Sequence, residues 1–155
     1  MENIDLWLLE GGACILFAVS MATDLRSRQI PNTVPVLLLA LFVAYAFTDI
    51  VGSLGSLWPH LLIGVVLLGV GFALYLTGSF GAGDGKLLAV AGLWVGLADM
   101  RLFLLGLGVA AIALCVFVML PFATTRNMRR NLPFALAIAP AAMAAIIVRS
   151  TSHGP

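Results

Sequence analysis

Charged side chains are scarce in this chain of 155 residues, at 10% of the total, whereas hydrophobic side chains make up 62%. A soluble domain of average composition has about a quarter charged residues. So many apolar side chains cannot all be hidden in one small core, which excludes an ordinary soluble domain and predicts that membrane lipid surrounds most of the chain. The formal net charge of +1 is too small to indicate binding to nucleic acid.

Cysteine is rare as well, with two residues, Cys14 and Cys115, both inside apolar runs. This placement argues against a disulfide framework or a zinc cluster. Alternation of polar and apolar positions over about ten residues is also lacking, and that excludes a membrane β-barrel. The first apolar run does not resemble a signal peptide, because acidic rather than basic residues precede it.

What the sequence does contain is six apolar runs joined by short connections. A helix needs about 20 residues to cross a bilayer, so six crossings would use most of this chain. We therefore predict an all-α integral membrane protein, a single domain over residues 1–155 built as a six-transmembrane-helix bundle with short loops. The predicted spans are about residues 6–23, 34–50, 61–77, 85–98, 102–121 and 132–148.

The basic residues predict which way the bundle faces, since Lys and Arg are retained on the cytoplasmic side. One side has Arg101 and Arg149, and the other has six basic residues in three loops. Those six are Arg26, Arg28, Lys86, Arg126, Arg129 and Arg130. We predict a multi-pass protein of the cytoplasmic (inner) membrane with both termini outside.

Familiar catalytic groups do not fit this topology. His60 and His153 are both predicted outside, as ordinary solvated loop residues, so no histidine is available to activate a serine or cysteine at the cytoplasmic face. The glycine-rich stretch 78–86 is not a phosphate-binding loop, because Phe80 and Leu87 replace required glycine and Ser/Thr positions. We expect neither a metal nor a nucleotide cofactor.

Two carboxylates remain at the predicted cytoplasmic face, Asp24 at the end of span 1 and Asp84 at the start of span 4. Each has a structural explanation, since Asp24 could pair with Arg28 and Asp84 could cap its helix. Together they fit one mechanism, because two close carboxylates can share a proton. The ionised acid would activate water and the neutral acid would protonate the carbonyl of a peptide bond.

Two segments resemble the motifs of a known family. Residues 24–32, DLRSRQIPN, contain an Asp followed shortly by Ile-Pro-Asn, and residues 81–88, GAGDGKLL, contain GxGD followed by x-K-L. These two segments lie at the predicted cytoplasmic ends of spans 1 and 4. They resemble the two motifs of the prepilin peptidases, which are membrane aspartic proteases of the GxGD type. The resemblance assigns catalysis to Asp24 and Asp84.

The same resemblance places Gly81, Gly83 and Lys86 in an active-site loop. The glycines would let an extended substrate strand approach Asp84. Gly85 departs from the family, which often has an apolar residue after the Asp. We expect this change to be tolerated, although it could loosen the start of the helix.

Bifunctional members of the family add a methyltransferase region, often with a four-cysteine zinc cluster. Only about five residues precede span 1 here, so the chain resembles the short, peptidase-only type of Flp (tight-adherence) pilus systems, or a preflagellin-type relative. The resemblance implies a prepilin substrate in which a short basic leader meets an apolar N-terminal helix. Cleavage would follow a glycine at the cytoplasmic face, without N-methylation.

Two other classes of function use the same aspartates. A small proton-coupled transporter would use them as proton relays, although transporters usually bind substrate near the bilayer midplane. A non-catalytic membrane subunit of a pilus or secretion machine would use them as a cap and an ion pair. Asp84→Asn separates these alternatives, because asparagine still caps a helix.

Overall fold

The computed structural model describes residues 2–27, 29–50, 54–78, 80–119 and 134–152. Within these ranges the chain forms six α-helices and no strand. The helices are α1 Glu2–Ser27, α2 Thr33–Tyr45, α3 Leu54–Leu76, α4 Ala82–Val95, α5 Met100–Met119 and α6 Ala135–Ser152. A π-helical turn, Ala46–Ile50, continues α2. The predicted all-α fold is confirmed.

Each predicted span coincides with one helix, but the ends differ. Helix α3 begins seven residues before the predicted span 61–77, because a helix continues into interfacial sequence where hydropathy falls. Helix α4 begins and ends three residues earlier than the predicted span 85–98. It stops at Gly96, whose φ of 65° lies in the left-handed region that favours glycine.

Two helical segments are long and apolar enough to cross a membrane, Leu6–Ser27 and Leu57–Leu76. Three more helical segments in the described part of the chain are apolar but shorter, Thr33–Thr48, Met100–Val116 and Ala135–Thr151. The length and composition of these described helices suit a membrane protein, while six crossings stay a prediction.

Helix α4 is the central element of the bundle. It packs against α2, α3 and α6 and touches α5, and most of its 14 residues are buried. Trp94 is fully buried and its indole N–H donates to the carbonyl of Leu38 on α2 at 3.1 Å. By contrast α3 and α5 expose large apolar side chains, such as Val65 and Leu105, on surfaces that suit lipid. The position of Asp84 is therefore set by a helix that is enclosed by its neighbours.

A polar cluster lies at the end of the bundle where α1 begins and α6 ends. Glu10 is buried and its Oε1 lies 3.0 Å from the Arg149 guanidinium. Arg149 also donates to the carbonyl of Trp94 at 2.8 Å. Arg149 therefore joins α1, α4 and α6.

The prediction that His60 is a solvated loop residue was wrong. It lies within α3, is half-buried, and its Nδ1 is 2.7 Å from the carbonyl oxygen of Leu93 on α4. Its ring packs against Phe42 with 5.8 Å between centroids. His60 joins α3 to α4. It can do so because α3 begins at Leu54, before the predicted span, and therefore includes residue 60. His153 lies outside the described residues.

Candidate active site

Asp24 lies in the last turn of α1 and is 5% exposed. Its Oδ2 accepts a hydrogen bond of 3.3 Å from the backbone N–H of Ala135, the first residue of α6. The first N–H groups of a helix have no partner within the helix. The Asp24 carboxylate on α1 therefore accepts a hydrogen bond from an N–H group at the beginning of α6 that has no partner within its own helix. Arg28, the alternative partner of Asp24, lies outside the described residues.

Asp84 lies in the first turn of α4 and is 8% exposed. Its Oδ2 accepts a 3.2 Å hydrogen bond from the N–H of Gly81, the residue that precedes the helix. Asp84 therefore does cap α4, as its structural explanation required. Its other oxygen, Oδ1, is buried and has no hydrogen-bond partner among the described residues. Capping of α4 uses the Oδ2 atom of Asp84, and the Oδ1 atom remains available for proton transfer.

The two carboxylates act on each other. Asp84 precedes the predicted span 85–98. Burial raises the pKa of its carboxyl group above the ordinary value, and the Asp24 carboxylate raises it further. The hydrogen bond from the Gly81 N–H and the influence of the Ala135 amide oppose this rise. Two interacting carboxylates that are both buried favour a state in which one is ionised and the other is neutral. The site can therefore supply one acid and one base.

The remaining motif residues join the two segments to each other. The Lys86 ammonium donates to the Asn32 side-chain carbonyl at 2.8 Å. A Cβ added to Gly83 would lie 3.0 Å from the Cβ of Ile30, which is tighter than most real contacts. Lys86 and Gly83 thus meet the Ile-Pro-Asn part of the first motif. The structure brings all five predicted site residues to one end of the bundle, while their roles stay predictions.

Helix α6 also contributes to the site, which the sequence motifs did not indicate. The Ala135 N–H reaches the Asp24 carboxylate, and Phe134 packs its ring on Phe80 with 4.4 Å between centroids. Pro133 ahead of an apolar run signals a helix start. Nothing in that signal shows which side chains the helix start faces, so the contact could not be predicted.

Within the described ranges no group of three His, Cys, Asp or Glu residues could hold a metal ion. The site consists of two carboxylates, the backbone amides of Gly81 and Ala135, and apolar surroundings.

The fold and site define a class of protein, an apolar helical bundle with a buried pair of aspartates at adjoining helix ends. A sequence model of the Type IV leader peptidase family matches residues 12–148. The chain belongs to this family, and the family indicates a peptidase that processes pilin-like precursors. Neither a curated protein nor a solved structure was found to match the chain.

Proposed function

We propose that the chain is a membrane aspartic endopeptidase that removes the leader peptide of Flp-type prepilins at the cytoplasmic face of the inner membrane. The observation that carries the proposal is the pair of buried carboxylates, Asp24 on α1 and Asp84 on α4. Asp24 accepts a hydrogen bond from the Ala135 amide, and both the Asp24 carboxylate and this amide act on the pKa of Asp84. Paired carboxylates of this kind are general acid and base in water-mediated hydrolysis.

The pair would act through a single shared proton. The ionised carboxylate takes a proton from water, and the water oxygen attacks the carbonyl carbon of the scissile peptide. The neutral carboxylate gives its proton to the carbonyl oxygen, which forms a tetrahedral diol. When the C–N bond breaks, the nitrogen takes a proton from the carboxylate that received one from water. The diol returns a hydroxyl proton to the other carboxylate, which restores the starting state.

The surroundings of Asp84 suit a peptide in extended conformation. Gly81 has extended backbone, with ψ of 151°, and a Cβ there would lie 3.0 Å from the Asp84 Oδ2. Any larger side chain at Gly81 would crowd the carboxylate. A substrate strand beside Gly81 would therefore approach the acid without a steric barrier, as the junction between a leader and its apolar helix requires.

The direct test is cleavage of a purified Flp-type prepilin by the purified protein in detergent. We expect mass spectrometry to find a single cut after the glycine that ends the leader, a free unmethylated N-terminus, and no effect of a metal chelator. A methylated product with this protein as sole processing factor, or cleavage abolished by chelator, would contradict those parts of the proposal. Intact precursor at every enzyme concentration would contradict the peptidase activity on this substrate.

The shared proton predicts a bell-shaped dependence of kcat/KM on pH. At high pH both carboxylates ionise and the proton donor is lost, whereas at low pH both are neutral and the base is lost. Because burial and Asp24 raise the pKa of Asp84, the alkaline limb should fall well above the value of about 3.9 for an isolated aspartate. Initial rates from pH 4 to 9 measure this. A rate independent of pH over that range would mean that no such pair limits catalysis.

The proposed orientation has its own test, with Cys14 and Cys115 first replaced by serine. Single cysteines placed in the 122–131 loop should react with impermeant thiol reagents only from the cytoplasmic side. Cysteines placed in 53–59 should react only from outside. The reverse pattern would place both aspartates on the outer face and contradict the proposed site of cleavage.

A further inference from the structure

The beginning of α6 acts on both aspartates. The Ala135 N–H donates to Asp24 at 3.3 Å, and it also lowers the pKa of Asp84. Ala135 is completely buried, and the carbonyl of Phe134 accepts the first hydrogen bonds of the helix, from Ala137 and Ile138. The amide is thus a fixed, buried donor to Asp24 that also influences Asp84.

A second contact fixes this amide relative to the GxGD segment. The rings of Phe80 and Phe134 pack at 4.4 Å between centroids. Each phenylalanine comes one residue before a group that donates to the pair, Phe80 before Gly81 and Phe134 before Ala135. The ring contact therefore ties together the two helix starts that supply backbone hydrogen bonds to the carboxylates.

A helix start favours negative charge, because its N–H groups carry the positive end of the helix dipole. No titratable side chain lies in the described first turns of α6, residues 134–138. Besides the two aspartates, Arg26 and Lys86 are the charged side chains of the described helices at this end, and both are exposed. The other end carries Glu2, Asp5, Glu10, Asp99, Arg101 and Arg149. Arg126, Arg129 and Arg130 precede α6 outside the described residues. Among the described groups, the amide of Ala135 is the buried donor that faces both acids.

We propose that the beginning of α6 is a third component of the active site, in which the Ala135 amide positions Asp24 against Asp84 and stabilises the one negative charge that they share. This inference rests on the proposed function, since it assigns the amide a part in the same proton-sharing pair. Ala135 acts through the aspartates, and so it is a positioning residue.

The amide can be deleted without changing the side chain. Lactic acid incorporated at position 135 replaces the N–H with an ester oxygen and keeps the methyl group. Ala135→Pro also removes the N–H, and proline is tolerated at the first position of a helix. Ala135→Gly is the matched control, because it alters the same residue and retains the donor.

We expect the ester variant to lose about 10- to 100-fold in kcat/KM, the range set by one hydrogen bond to a charged group. The bell of kcat/KM against pH should also move to higher pH by about one unit, because a carboxylate that loses a donor is harder to ionise. Ala135→Pro should shift the bell in the same direction, and Ala135→Gly should leave its position unchanged. A purely structural amide would lower the amount of folded enzyme and leave the pH dependence as it was.

A second readout needs no cleavage. Carboxyl ¹³C NMR of aspartate-labelled protein, with the Asp24 signal assigned from Asp24→Asn, should show the pair ionising at higher pH in the ester variant. If wild-type protein fails to cleave prepilin but the signals shift, the proposed function is wrong and the α6 contact stands. If wild-type protein cleaves, and the ester variant keeps its rate, pH profile and carboxyl titration, the inference about α6 is wrong and the peptidase stands.

Discussion

Asp24→Asn and Asp84→Asn should each abolish prepilin cleavage, with a loss of about 10⁴-fold or more, while the protein still inserts and folds. The reason lies in the hydrogen bonds. An asparagine carbonyl oxygen at 84 can still accept from the Gly81 N–H, and one at 24 can still accept from the Ala135 N–H. Both helix starts would keep their caps. What disappears is the carboxyl group that carries or receives the shared proton.

The double variant should be no worse than either single one, because residues that act as a unit are not additive. Asp99→Asn is the matched control, since Asp99 is half-buried at the other end of α4 and should be dispensable. Initial rates of leader removal, compared at equal amounts of folded protein, measure all four variants. Substantial activity in either single variant would remove that residue from the catalytic pair. Equal losses in Asp24→Asn and Arg28→Ala would instead favour the ion-pair explanation.

The parts of the fold that could be predicted are those set by local sequence. Apolar runs located all six helices, because burial in lipid or protein demands apolar side chains along the whole length of a helix. The motifs at 24–32 and 81–88 placed Asp24 and Asp84 at the end of α1 and the start of α4. Hydropathy did not predict the helix ends, since α3 starts well before its apolar run.

The contacts that could not be predicted are those between residues far apart in the chain. Ala135 and Asp24 are 111 positions apart, and Glu10 and Arg149 are 139 apart. A single sequence shows that a glutamate lies near a membrane surface, but not that an arginine of the last helix reaches it. The contact of His60 with the Leu93 carbonyl also joins two helices, and the assignment of His60 to a loop failed because the apolar run was taken to begin at residue 61.

Gly71→Ala should be a damaging small substitution outside the carboxylate pair. A Cβ on Gly71 would lie 2.7 Å from the Cα of Gly85, and backbone cannot move aside as a flexible side chain can. We expect a loss of about 1–3 kcal/mol in stability from overpacking. Helix α4 would have to shift away from α3, and Asp84 precedes Gly85 directly. A displacement of 1 Å at a catalytic group can cost about 100-fold in rate.

Gly69→Ala is the control on the same helix, two residues away, because a Cβ on the exposed Gly69 meets nothing within 4 Å. Gly85→Ala should be milder than Gly71→Ala, since its Cβ would be 3.3 Å from the Gly71 backbone rather than 2.7 Å. Gly85→Val should be harmful even though it restores an apolar residue often found in the family, because this chain uses the Gly71–Gly85 contact to bring α3 close to α4. Thermal unfolding and leader-removal rates of the four variants measure both effects. If Gly71→Ala unfolds and cleaves as Gly69→Ala does, the close approach of α3 does not position Asp84.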